Sequence, residues 1–203
     1  NLFNMSKKLW EASQTKKKHS NLYKYEKFLS KKYNFNIKQN YSRILKWTIN
    51  NPNKFWSSIW DFAGVKGIKK EKSYLSKILF KSKFLINSEL NFAENLLSKN
   101  DNSKAITFIS ENGYREVRSW KDLNLNVNKI ANFIKKINIK ENDRVAAYLP
   151  NLIETVEAFI ATASLGAIWS SCSPDFGAEG VIERFAQIKP KILIIADRYY
   201  YNG

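Results

Sequence analysis

DRVAAYLPNLIETVEAFIATASLGAIWSSCSPDFGAEGVIERFAQIKPKILIIA, running from Asp143 to Ala196, alternates between two hydrophobic rhythms. Arg144 to Leu149 is a short apolar run and predicts a buried strand. Asn151 to Leu165 predicts a helix, with Asn151 as its cap and Glu154 three residues on. Ala167 to Ser171 predicts a second strand, Glu179 to Ile188 a second helix, and Lys191 to Ala196 a third strand. Strand, helix, strand, helix, strand with short links is the pattern of a parallel sheet with crossover helices, an α/β fold. Ligands of such sheets sit on the loops that leave the carboxyl ends of the strands. Those loops are Pro150-Asn151, Ser171 to Gly180, and Ala196 to Gly203.

Upstream, the rhythm changes. Trp120, Leu123, Val127, Ile130, Ala131, Ile134 and Ile137 share one helical face, and Ser119 with Asp122 three residues later forms a capping-box pattern. Before it, Ala105 to Ser110 and Tyr114 to Arg118 flank Asn112-Gly113, a hairpin signal. Leu90 to Leu97 predicts a short helix after an irregular basic stretch. The first part of the chain predicts helices rich in aromatics. Ser20 caps a run carrying Leu22, Tyr25, Phe28, Leu29 and Tyr33; Tyr41, Ile44, Leu45 and Thr48 continue it. Asn51-Pro52 then opens a helix with Phe55, Trp56, Ile59, Trp60 and Phe62, and Gly64 stops it. An aromatic stripe of this kind is either a packing face or a platform for stacked bases.

Hydrophobic residues make up 44% of the 203, enough to expect a packed body. One cysteine, Cys172, cannot close an internal disulfide, and one histidine, His19, cannot build a histidine metal site alone. No uncharged apolar run approaches the ~18 residues of a spanning helix, and no secretory pattern opens the chain. A cytoplasmic protein is the expectation. The net charge of +16 is concentrated early: residues 1–80 hold 18 Lys or Arg against 4 Asp or Glu, and the other 123 hold 16 against 14. Only six of the 34 basic residues are Arg, the better partner for forked phosphate contacts. The charge is read as a solvated face; a basic surface for nucleic acid or anionic membrane is the competing reading.

Three stretches carry a resemblance. FWSSIWDFAGVKG (Phe55 to Gly67), LNFAENLL (Leu90 to Leu97) and DRVAAYLPNLIETVEAFIATASLGAIWSSCSPDFG (Asp143 to Gly177) resemble the AMP-forming acyl-CoA synthetases, in particular their acetoacetyl-coenzyme A synthetase branch. QIKPKILIIADRYYYNG, from Gln187, continues it. The resemblance implies a helical, aromatic-rich cap over residues 1–98, followed at 99–203 by the first βαβαβ part of an incomplete adenylate-forming domain. It implies a ligase that joins acetoacetate to coenzyme A through an acyl-adenylate, using ATP and Mg²⁺ as a complete enzyme. Its partners are then small molecules, with neither nucleic acid nor membrane. The Gly, Ser and Thr-rich phosphate loop with its Lys is absent from these residues, so no catalytic residue is assigned and the chain alone is expected to be inactive.

By position, the resemblance makes Ser170, Ser171 and Tyr201 candidate coenzyme A contacts. The related acetyl-CoA branch has Gly-Gly where Ser170 and Ser171 stand, and an Arg where Tyr201 stands. A serine hydroxyl can bond a pantetheine amide but keeps the ligand further from the backbone than glycine would. The alternative is a polar loop that closes the strand end. Asn142 stands where the family has a turn glycine, and asparagine tolerates the left-handed conformation. Met5 is the expected start of translation. Cys172 has no histidine near it in sequence and is read as a packed thiol, and His19 as exposed. Asp175, Glu179 and Glu183 read as a solvated set, with Arg184 a candidate bridge to a neighbouring domain. A ligase for another short or medium-chain acid, or a non-catalytic basic module, is the alternative function.

Overall fold

The structure is a computed structural model that describes residues 9–35, 41–76 and 78–200. Met5 and Tyr201 lie outside the described residues. The chain divides into two compact units, Asn1–Glu89 and Leu90–Gly203.

The first unit is helical: α1 (Gln14–His19), α2 (Asn21–Tyr33), α3 (Tyr41–Asn50) and α4 (Pro52–Ala63). Ser20 accepts from the Tyr23 N–H and starts α2. Pro52 occupies the first turn of α4, and Gly64, at φ 63°, ends it in the left-handed conformation. Tyr25, Leu29, Phe35 and Ile44 form the core, with Phe28, Trp47, Phe55 and Phe62 against it. The Tyr25 and Phe62 rings meet edge to face at 5.1 Å. Most of the aromatic stripe thus packs on itself, with Tyr41 and Trp56 left exposed. Asp61 ties α4 to Lys32 of α2 and, at 2.8 Å, to Lys69. Hydrogen bonds from Lys32 and then Lys69 hold its carboxyl below the ordinary carboxylate range. The basic stretch that follows has two isolated antiparallel bridges, Ile68 with Glu89 and Tyr74 with Lys83, and one 3₁₀ turn, Leu79–Lys81.

The second unit contains α5 (Phe92–Leu96), a hairpin of β1 (Lys104–Ile109) and β2 (Arg115–Ser119), α6 (Trp120–Lys136), β3 (Arg144–Tyr148), α7 (Ile153–Ser164), β4 (Ile168–Cys172), α8 (Ala178–Ile188) and β5 (Ile192–Ile195). The sheet is parallel, in the order β4-β3-β5. Alternation along β3 serves two layers. Val145 joins the core made with Leu123, Val127 and Ile134 of α6 and Ile160 and Ala161 of α7, while Ala146 packs with Cys172 and with Val181 and Phe185 of α8. Asn142 enters β3 at φ 66° and donates its N–H to Gly166 O at 3.0 Å. Asp143 accepts from Lys191 and from the Lys140 N–H, tying the starts of β3 and β5.

One expectation shifts. The helix after β3 is not capped by Asn151: the Leu152 N–H donates to Pro150 O at 2.9 Å, this tight turn delays the helix, and Leu152 takes the cap position without a side-chain bond. The compact units part after Glu89, which puts α5 in the second. Asn91 accounts for that placement. Its side chain accepts from the Glu94 N–H to start α5 and donates to the Ala163 and Ser164 carbonyls at the end of α7, at 3.1 and 3.2 Å. The short helix is therefore built into the second unit.

Candidate functional site

Ser170 and Ser171 lie on β4, in register with Ala146 and Ala147 of the central strand. Ser170 is half-buried and Ser171 exposed, and neither side chain makes a hydrogen bond among the described residues. Cys172, next in line, is buried against Ala146, Val181 and Phe185, with no histidine in its cluster. It is a packed thiol. The turn after β4 is drawn tight: the Phe176 N–H donates to Ser173 O at 3.2 Å, and Ser173 Oγ donates to Asp175 Oδ2 at 2.7 Å. Tyr148, the last residue of β3, reaches it with its hydroxyl 2.9 Å from Pro174 O and 2.8 Å from Phe176 O. Arg184 of α8 places its guanidinium 4.3 Å from the Phe176 ring centre.

A separate cleft of about 810 Å³ opens beside the loops leaving β3 and β5. That volume is within the range of small-molecule sites. Phe108 and Tyr114 of the hairpin region, Pro150 and Asn151, and Arg198 to Tyr200 line it, so two of the three loops expected at the strand ends meet there. Ser170 and Ser171 are not among its walls. Its electrostatics are acidic: Glu111, Glu116 and Glu154 line it against Arg198. Behind it, Arg118 gathers Glu116 at 3.0 Å, Glu154 at 3.6 Å and the buried Glu157 at 2.8 Å. Burial works against the Arg118 charge, and the carboxylates, Glu157 first, outweigh it and raise its pKa. The Tyr114 hydroxyl donates to Glu116 at 3.2 Å, which pushes the phenol up. Sequence reasoning found the loops but missed this Arg118 node, because its partners stand 36 and 39 residues downstream, at Glu154 and Glu157.

At β4 the hydroxyls of Ser170 and Ser171 have no hydrogen-bond partner among the described residues, a donor set that fits an amide-bearing ligand. Among the described residues no group of three or more His, Cys, Asp or Glu could hold a metal ion, and the sequence has no Gly-rich phosphate loop with a Lys to cradle ATP.

A model of the AMP-binding enzyme family matches residues 94–202, more than half of the chain. The chain belongs to the AMP-binding enzyme family. The acetoacetyl-coenzyme A synthetase of Rhizobium meliloti (strain 1021) is 40% identical over 164 residues, covering 80% of this chain and 25% of that protein. The acetoacetyl-CoA synthetase of Xenopus tropicalis is 39% identical over 173 residues, covering 81% and 25%. A malonamoyl-CoA synthetase of Penicillium aethiopicum is 30% identical over 204 residues, covering 96% and 28%. The solved acetoacetyl-CoA synthetase from Streptomyces lividans superposes with a TM-score of 0.88 at 24% identity, over 96% of this chain and 31% of that one. This AMP-binding chain therefore has the fold of the matching part of that protein. It spans about a quarter of the length of the curated relatives it matches.

Proposed function

We propose that this AMP-binding chain is a portion of an ATP-dependent ligase that converts acetoacetate and coenzyme A to acetoacetyl-CoA. The observation that carries the reading is the 40% identity over 164 residues to an acetoacetyl-coenzyme A synthetase. The reaction has two steps. A carboxylate oxygen of acetoacetate attacks the α-phosphorus of ATP, pyrophosphate leaves, and an acyl-adenylate forms. The coenzyme A thiol, losing its proton, then attacks the acyl carbonyl, and AMP departs with the bonding electrons. Adenylation is needed because a carboxylate is a poor electrophile and AMP is a far better leaving group than oxide.

In this reading Ser170 and Ser171 bond the pantetheine arm of coenzyme A and Tyr201 meets its nucleotide end; Mg²⁺ and the ATP-holding residues belong to sequence beyond these 203. The enzyme works in the cytoplasm on small molecules, in acetoacetate and lipid metabolism. No described helix is long and apolar enough to cross a membrane. The identity to a malonamoyl-CoA synthetase supports a second reading, in which the acid differs but the two steps do not. The test has two stages. The native coding sequence, read past Gly203, should continue in frame into a Gly, Ser and Thr-rich loop with a Lys. Its complete product should then form thioester fastest with acetoacetate in a panel containing acetate, butyrate and malonamate. A preference for malonamate selects the second reading, and an immediate stop codon ends both.

A further inference from the structure

We propose that Tyr148 and Arg184 are positioning residues that hold the turn after β4 in place to receive coenzyme A; this rests on the reading above that Ser170 and Ser171 contact the coenzyme. The turn from Ser173 to Gly177 follows those serines directly. It is fixed from three sides. From β3, the Tyr148 hydroxyl lies within hydrogen-bond distance of the carbonyls of both Pro174 and Phe176, 26 and 28 positions later, and shares its one proton between them. From α8, the Arg184 guanidinium covers the face of the Phe176 ring. From below, the buried Cys172 side chain is packed on Ala146, Val181 and Phe185.

The chemistry of these contacts separates positioning from stability. The bond to Phe176 O is exposed and that to Pro174 O only part-buried, so water can replace the tyrosine hydroxyl without leaving a fully buried acceptor bare. Loss of the hydroxyl therefore loosens the turn rather than unfolding the sheet. A ligand held by such a turn pays the cost of ordering it again on binding.

Equilibrium binding of coenzyme A to the complete native protein, by calorimetry, tests this without requiring the acid to be known. Tyr148→Phe should weaken coenzyme A binding roughly three- to tenfold, the scale of one lost hydrogen bond, and should speed hydrogen exchange in the 173–177 peptide. Arg184→Met should act in the same direction, and Arg184→Lys should recover most of the loss, because an ammonium also sits over a ring. In the coupled reaction the expected signature is a raised KM for coenzyme A, with the KM for the acid and ATP in pyrophosphate exchange within about twofold of wild type. Unchanged coenzyme A affinity in both variants overturns the proposal. So does equal loss of pyrophosphate exchange and coenzyme A binding, which is the mark of a general structural role. A wild-type protein that binds coenzyme A but ignores acetoacetate removes the acid assignment and leaves the clamp standing.

Discussion

Glu26 of α2 is 4% exposed and makes no hydrogen bond or ion pair among the described residues. Burial raises its pKa above the ordinary carboxylate value. The folded form then holds a proton that the unfolded chain releases, so Glu26 costs nothing at a pH below the unfolded value and costs stability once pH rises through it. Glu26→Gln removes that cost. It should stabilise α2 at pH 7 by about 1 kcal/mol, slowing amide exchange in the helix roughly fivefold, and should change little at pH 4. A variant that exchanges faster at pH 7 would contradict this. At the same scale, Asn142 was legible through the resemblance, which puts a turn glycine at that position: asparagine accepts the positive φ required there, 66°. The double use of Asn91 was not, because the carbonyls it serves, at Ala163 and Ser164, stand 72 and 73 residues away and no local pattern marks them.

The hairpin is joined to the helices behind it by Arg118, which sits on β2 and meets Glu157 of α7, while Asn126 of α6 donates to the same oxygen at 2.9 Å. Glu157 is 3% exposed, so truncating its partner leaves a buried carboxylate with one neutral donor. Arg118→Ala should cost about 3 kcal/mol, and the double variant Arg118→Met with Glu157→Met should cost distinctly less, because no orphaned charge remains. Urea unfolding of the complete protein, followed by exchange in α7 and the hairpin, measures both. Equal losses would show that packing rather than charge holds the joint. Elements themselves were readable from periodicity, since the spacing of Leu123, Val127 and Ile134 and the apolar run at Val145 are local properties of α6 and β3. Their seams were less so. The helix after β3 begins later than its Asn-x-x-Glu pattern suggests, and α5 belongs with the sheet, in both cases because a backbone or side-chain bond to a distant or turned segment outranks the local signal.

For the molecule as a whole, the charge of +16 and the open sheet have consequences that differ in kind. Tyr25, Phe28, Phe35, Trp47, Phe55 and Phe62 of the basic first unit face one another in its core, which is how a packing face behaves, while Tyr41 and Trp56 stay exposed. In the sheet, β4 and β5 each have one strand neighbour among the described residues, and Leu193 and Ile195 of β5 are 53% and 63% exposed. An unpaired apolar edge invites association. A polypeptide of residues 1–203 produced alone should therefore aggregate, seen as rising light scattering with concentration, and should show no acid-dependent exchange. A monodisperse, stable 1–203 polypeptide would refute the first expectation. The coenzyme contacts proposed at Ser170, Ser171 and Tyr201 came from resemblance, not from pattern, and the acidic cleft was invisible to both because its walls converge from the hairpin and two strand ends. The proposal that these residues belong to an acetoacetate-activating ligase is tested by the exchange of labelled pyrophosphate into ATP by the complete native gene product, with and without acetoacetate. Exchange that depends on acetoacetate is the predicted result; exchange no greater than the acid-free blank, from a folded protein, would contradict it.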